Sequence, residues 1–185
     1  AMIVGIVGAP GSGRNTLATA LAAAEGLVRL DSEAIRSAIA RAATAATRQA
    51  KVLVDRGLPV PDETIGRIVG DAAGQRDAVV VGAPRSEAQW GAMAGGDDAG
   101  VLGVVALDAT EALLDARRAA RGLPPVAVSH PGGLERIAHQ LAPVLARAAA
   151  DGCLLRLDAA RPPHELLAAS VAFVQALRAR CRSRS

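Results

Sequence analysis

A chain of 185 residues, 51 % of them apolar, is long enough to bury a real core and short enough to be one domain. Its net charge of +3 rests on Arg178, Arg180, Arg182 and Arg184; without these four the balance falls to −1, which excludes the field of a nucleic-acid-binding body. No apolar run approaches the ~18 residues of a membrane span, and Cys153 and Cys181 show neither a disulfide framework nor metal-ligand spacing, so a cytoplasmic protein with no nucleic-acid or membrane partner is expected.

The first predicted element is a strand over Ile3 to Val7, followed at once by Gly8-Ala9-Pro10-Gly11-Ser12-Gly13-Arg14-Asn15-Thr16 and a helix over 14–24. Gly8 and Gly13 have the G-x-x-x-x-G spacing of a phosphate-binding P-loop, in which the backbone curls so that N–H groups and the helix N-terminus face a phosphate. A third glycine in G-x-G-x-x-G spacing after Gly11 and Gly13 is missing, which counts against a dinucleotide loop. Position 14 departs from the motif: it holds arginine, a planar fork, where a P-loop has the compact ammonium of lysine. Lys51 is the only lysine among 21 basic residues, so Arg14 fits a chain-wide replacement of lysine by arginine.

Strands are then predicted over Leu27 to Leu30, Ala78 to Val81, Leu102 to Leu107 and Cys153 to Leu157. Alanine-rich helices fill the intervals at about 32–56, 62–73, 86–94, 110–121, 134–150 and 163–180, each bounded to about ±3 residues. Short apolar runs alternating with helices predict an α/β fold, a five-stranded parallel sheet covered on both faces. Asp31 and Glu33 have two readings, as caps of the following helix or as metal-binding carboxylates. Pro61-Asp62-Glu63 opens a helix with acids suited to its positive end. Pro124-Pro125 and Pro131-Gly132-Gly133 bracket the longest irregular segment, a loop expected over the ligand face, in which His130 is read as a solvated loop histidine. The arginine-rich end from Arg178 to Arg184 is read as frayed and solvated, with a basic arm as the other reading.

Several of these motifs together resemble the adenylate kinases and their nucleoside monophosphate kinase relatives. Gly8 to Gly13 is similar to the family's G-x-P-G-x-G, with Arg14, Asn15 and Thr16 standing at its Lys, Gly and Thr. Gly57-Leu58-Pro59-Val60-Pro61-Asp62-Glu63 is similar to G-x-L-V-P-D-E, and Val81-Gly82-Ala83-Pro84-Arg85-Ser86 with Gln89 to D-G-F-P-R-T…Q. Arg117, Arg118 and Arg121 stand where the family has donor-side arginines before its lid. The resemblance implies a three-layer P-loop fold with strand order 2-3-1-4-5, a single domain over 1–185, a monophosphate-binding helical insert at about 31–60 and a short lid-like loop at about 122–133.

The same resemblance implies the site. Gly8, Pro10, Gly11, Ser12, Gly13, Arg14, Asn15 and Thr16 would hold the phosphates of ATP, and Thr16 would help hold magnesium. Arg36, Val60, Gly82, Arg85 and Gln89 would bind the acceptor, with the arginines on its phosphate and Gln89 on its base. Arg14, Arg36, Arg85 and Arg121 would carry the catalytic charge, and no tightly bound cofactor is expected beyond magnesium with ATP. Three departures fall on the phosphate chemistry: Arg14, Val81 at the strand-end position of a metal-ordering aspartate, and a loop from Gly122 to Leu134 that has no arginine or aspartate. Two readings follow. One is a kinase acting on a nucleoside monophosphate or similar small acceptor; the other is a nucleotide-binding pseudo-kinase that works through a protein partner at the apolar loop.

Overall fold

The computed structural model describes residues 1–94, 101–129 and 132–182. Strand β1 (Met2–Gly8) lies at the centre of the sheet because nearly every side chain on it is apolar and buried. It pairs in parallel with β3 (Ala78–Val81) through Ile3 opposite Ala78, and with β4 (Val101–Asp108) through Ile3 opposite Leu102. The short strand β2 (Val28–Leu30) and β5 (Leu154–Asp158) form the edges, giving the parallel order β2-β3-β1-β4-β5. This is the order that the resemblance implies.

Two apolar layers hold helices to the sheet. On one face α1 (Arg14–Glu25) and α9 (Pro163–Arg182) pack Leu17, Leu21, Val174 and Leu177 against Val4, Ile6 and Val105. On the other, α4 (Asp62–Ala73), α5 (Glu87–Ala94) and α8 (Gly133–Ala150) pack Val69, Trp90, Met93 and Val144 against Val7, Val80 and Val104. A valine or leucine buried to this degree contributes roughly 1.5–3 kcal/mol. Trp90 also has the Arg147 guanidinium 5.9 Å above its ring.

The predicted helix over 32–56 is two helices, α2 (Ser32–Arg41) and α3 (Ala45–Asp55). Ala42 turns left-handed at φ 49° to close α2, and Thr44 and Thr47 then cap α3 reciprocally: each hydroxyl accepts the other residue's backbone N–H, at 3.3 and 2.8 Å. The irregular segment contains a helical turn, α7 (Val126–Ser129), after α6 (Glu111–Ala119). The Val126 N–H donates to Asp115 at 2.8 Å, and Val126 is 1 % exposed against Ala9 and Leu114. His130 and Pro131 lie outside the described residues. Cys153 is buried but sits just before β5, not within it.

The arginine-rich end is not frayed where it is described. Helix α9 runs to Arg182, and Arg178 donates to Asp77 at 2.9 Å, to the Glu25 carbonyl at 2.8 Å and to the Glu25 carboxylate. Met2 N–H also donates to Asp77 at 2.9 Å, so Arg178 ties α9, the end of α1 and the approach to β3 around the start of the central strand. Arg184 lies outside the described residues.

Candidate phosphate-binding cleft

The C-terminal ends of β1 and β3 open onto one cleft, and two backbone features place the cations in it. After β1, the turn runs through Gly11 at φ 91° and Gly13 at φ 103°, left-handed conformations that let the chain re-enter α1 with its first N–H groups unbonded within the helix. After β3, the loop Gly82-Ala83-Pro84 crosses directly over β1. A Cβ on Gly5 would lie 2.2 Å from the Ala83 carbonyl oxygen, so only glycine at position 5 lets the loop settle.

That loop brings Arg85 beside Arg14. Gly82, at φ 76°, lies between them: Arg14 Nη1 and Arg85 Nη2 each come within 3.1 Å of where a Cβ on Gly82 would stand. Arg85 Nε donates to the Gly82 carbonyl at 2.6 Å, which fixes one edge of its guanidinium and leaves the other toward the cleft. No carboxylate pairs with Arg14, Arg85 or Arg136 among the described residues. Burial, and then the Arg85 charge, hold Arg14 below the ordinary arginine value. Two unneutralised guanidiniums pressed together in a partly desolvated cleft would both be stabilised by an anion between them. The cleft has a volume of about 490 Å³ and is lined by Gly8, Pro10, Arg14, Gly82 and Arg85, and by Arg136 from α8.

The phosphate loop is braced from behind by Arg117, whose side chain donates to the carbonyls of Gly11 at 3.3 Å, Ser12 at 3.0 Å and Ala159 at 2.8 Å. The sequence groups Arg117 with the arginines before the lid, and only these long-range contacts reveal it as a brace. Ser12 is 1 % exposed and its hydroxyl has no hydrogen-bond partner among the described residues. An unmet buried donor in the loop suits a phosphate oxygen, so the loop fits the anionic end of a nucleotide.

Other expected site residues lie elsewhere. Thr16 and Arg121 line a separate cavity of about 180 Å³ on the far side of the loop, with Gly11, Gly13 and Arg161. Asn15 accepts from Arg29 at 3.0 Å. Arg36 is exposed on α2 and pairs with Glu33 at 2.8 Å, so in this conformation it does not reach the cleft. Val60 packs against Ile39, Ala46, Ala50 and Ile68 instead of facing an acceptor. Gln89, expected on the acceptor base, is 6 % exposed and bonded at both ends: its Oε1 accepts the Arg85 N–H at 2.8 Å and its Nε2 donates to Asp62 at 2.7 Å. In this conformation its amide is bound to protein at both atoms.

Among the described residues no three His, Cys, Asp or Glu side chains are grouped to hold a metal, and Val81 packs against the core at the end of β3. Asp31 caps α2, accepting from Ala34 N–H at 2.9 Å, and pairs with Arg29 at 2.7 Å, so it follows the capping reading. Thr16 is the one residue expected on magnesium that this loop retains, and no carboxylate cluster joins it among the described residues. The apolar loop is in part consumed internally by Val126, while Leu123 stays exposed.

The model of a family described as AAA domain matches residues 3–142. An adenylate kinase of Rhizorhabdus wittichii is 33 % identical over 88 residues, which are 45 % of this chain and 41 % of that protein, so the match spans about two fifths of the relative's length. A gluconokinase from Sinorhizobium meliloti superposes over 100 % of this chain and 97 % of its own, with a TM-score of 0.61 at 16 % identity. That likeness is one of fold. No helix among the described residues is long and apolar enough to cross a membrane.

Proposed function

From the premise that this chain belongs to the AAA domain family and has a nucleotide kinase-like P-loop domain, we propose that it is an adenylate-kinase-like, cytoplasmic, single-domain phosphotransferase. It would move the terminal phosphoryl of ATP to a nucleoside monophosphate or a similar small phosphate-bearing acceptor. The observation that carries this reading is the convergence of Arg14 and Arg85 on either side of Gly82, at the mouth of a glycine-rich loop. In phosphoryl transfer the P–O bond to the donor's leaving diphosphate breaks as a P–O bond to the acceptor oxygen forms. The protein's contribution is positioning and charge. Arg14 would lie on the donor phosphates, Arg85 on the acceptor phosphate, and Arg136, from the first turn of α8, on either. Gly8 to Thr16 would bind the donor, with Arg121 beside Thr16 on the far side of the loop.

P-loop kinases generally use magnesium with ATP, where the ion adds charge neutralisation at the transferring phosphoryl. Here Thr16 alone would assist it, and the residues around the cleft fit the phosphates better than they fit the metal. That mismatch supports a second reading, a nucleotide-binding pseudo-kinase acting through a protein partner that contacts the exposed side of the 122–133 loop.

A coupled assay with magnesium-ATP against AMP, GMP, CMP and UMP separates the two, run beside an Arg14→Lys, Val81→Asp double variant. Turnover by the natural chain is expected, and it names the acceptor. Silence in the natural chain with activity in the double variant establishes the pseudo-kinase. Silence in both, with no nucleotide binding by calorimetry, removes the nucleotide reading itself.

A further inference from the structure

Gln89 stands out among the expected acceptor residues because its side chain is buried and bonded at each end. Its Oε1 holds the backbone N–H of Arg85 at 2.8 Å, while its backbone N–H donates to Ser86 Oγ at 3.2 Å at the start of α5. Its Nε2 donates at 2.7 Å to Asp62, 27 positions earlier in the sequence and the first residue of α4. One amide therefore joins the loop carrying the cleft's Arg85 to the head of the helix that follows Pro61. Two further contacts hold the same joint. A Cβ on Gly66 of α4 would fall 2.7 Å from the Gln89 carbonyl oxygen, so the two helices already touch there, and Arg85 Nε is fixed on the Gly82 carbonyl. Gln89 does not line the cleft, whereas Gly82 and Arg85 do.

We infer that Gln89 is a positioning residue that sets Arg85 against Asp62, and that the acceptor is recognised by its phosphate group with no reading of its base. An amide whose Oε1 and Nε2 are both committed inside the protein has one unused N–H and a single lone pair left for a ligand, and burial withholds these. The cleft's own lining favours oxyanions: Arg14, Arg85 and Arg136 supply charge against the single side-chain amide of Gln140, and among the residues named for the acceptor only Gly82 and Arg85 face it. The substrate class is thus a phosphate monoester in which the group beyond the phosphate is free to vary. The inference rests on the cleft being an acceptor site, as proposed above.

The test is equilibrium binding of AMP, GMP, CMP, UMP and ribose 5-phosphate to the full chain and to Gln89→Leu, Asp62→Leu and Asp62→Asn. The natural chain is expected to bind all five with affinities within about threefold. Gln89→Leu and Asp62→Leu should weaken all five by a common factor of about 10, the usual scale for a lost internal hydrogen bond that orders a charged group. Asp62→Asn keeps an oxygen for Gln89 Nε2 and should stay within about twofold of the natural chain, which a merely destabilising effect at position 62 would not ensure. A melting curve for each variant checks folding, and if Gln89→Leu does not fold, the two Asp62 variants carry the comparison. The inference is overturned if one base is preferred by tenfold or more in the natural chain, or if Asp62→Leu alters the ranking of the five ligands rather than their common level. Failure of all five to bind removes the acceptor reading along with the inference, whereas base preference removes the inference alone.

Discussion

Arg178 and the pair Arg14 and Arg85 sit at opposite ends of the same parallel sheet and are treated in opposite ways. At the N-terminal edge of the strands, Arg178 is surrounded by acceptors: the Glu25 carboxylate and carbonyl and the Asp77 carboxylate, with side-chain exposures of 26 %, 9 % and 29 % for Arg178, Glu25 and Asp77. At the C-terminal edge, Arg14 and Arg85 face each other across Gly82 without a carboxylate between them. A cation whose charge is met inside the protein holds elements together. A cation left unmet beside another is unfavourable to the fold by itself, which marks a candidate anion site. Identical side chains are thus sorted into support and site by their neighbours.

The sharpest way to break this contrast is to remove a cleft cation. Arg85→Ala should lower turnover by about 10²–10³ or more, the scale for losing one preorganised donor at a transferring group, and leave the melting temperature nearly unchanged or slightly raised. Steady-state kinetics beside a thermal melt decides it. Activity surviving in Arg85→Ala would show that the unpaired pair is not where charge develops.

Arg178→Ala is the mirror experiment. It should cost about 2 kcal/mol, below the roughly 3–5 kcal/mol for a fully buried network because Arg178 and Asp77 keep partial contact with water. For a chain of this size that is a fall of about 4–8 °C in melting temperature. Phosphate binding should be unchanged, and a loss of binding at unchanged stability would undo the division between the two ends.

Gly82→Ala sharpens the comparison within the cleft. The φ of 76° is strained for alanine, and the new methyl meets both guanidiniums at 3.1 Å. The strain costs about 1–2 kcal/mol, while the arginines, being the far ends of flexible chains, can swing aside. Phosphate affinity should then fall by more than stability accounts for, as measured by calorimetry against a denaturant series.

What the sequence made legible and what it hid divide along sequence separation. The glycine-rich loop, Pro61-Asp62-Glu63 and Pro84-Arg85 are local strings, and strands of Val and Ile between alanine-rich helices impose the parallel sheet. Arg178 and Arg117 gave no such signal, because the partners that define them lie far along the chain, at Asp77 and Ala159, and no periodicity records them. The break at Ala42 was hidden because alanine favours helix and Thr44-x-x-Thr47 lacks the Glu or Gln that usually marks a capping box. Gln89 was legible as part of a motif, and the resemblance places it on a base, but its type and spacing do not record its partners, since only the folded chain shows Asp62 against its amide.

Asp31 gives the smallest effect and tests whether a paired group near the loop behaves like those at the far end. The Ala34 N–H first of all, with the Arg29 charge and hydrogen bond behind it, holds the Asp31 carboxyl below the ordinary carboxylate value against an opposing push from burial. A depressed carboxylate stabilises the fold above its unfolded value of about 4, and that contribution disappears as pH falls through the folded value. Asp31→Asn keeps an oxygen for the cap and loses only the charge facing Arg29, a partly exposed pair. The variant should therefore be about 0.5–1 kcal/mol less stable at neutral pH, and urea titrations at descending pH should show the two proteins converging below a pH of about 4. Parallel pH profiles for the two would mean that Asp31's charge adds nothing and that the cap oxygen alone holds α2. Arg29, which also donates to Asn15 at 3.0 Å, would then be a paired cation whose pairing adds no stability, unlike Arg178.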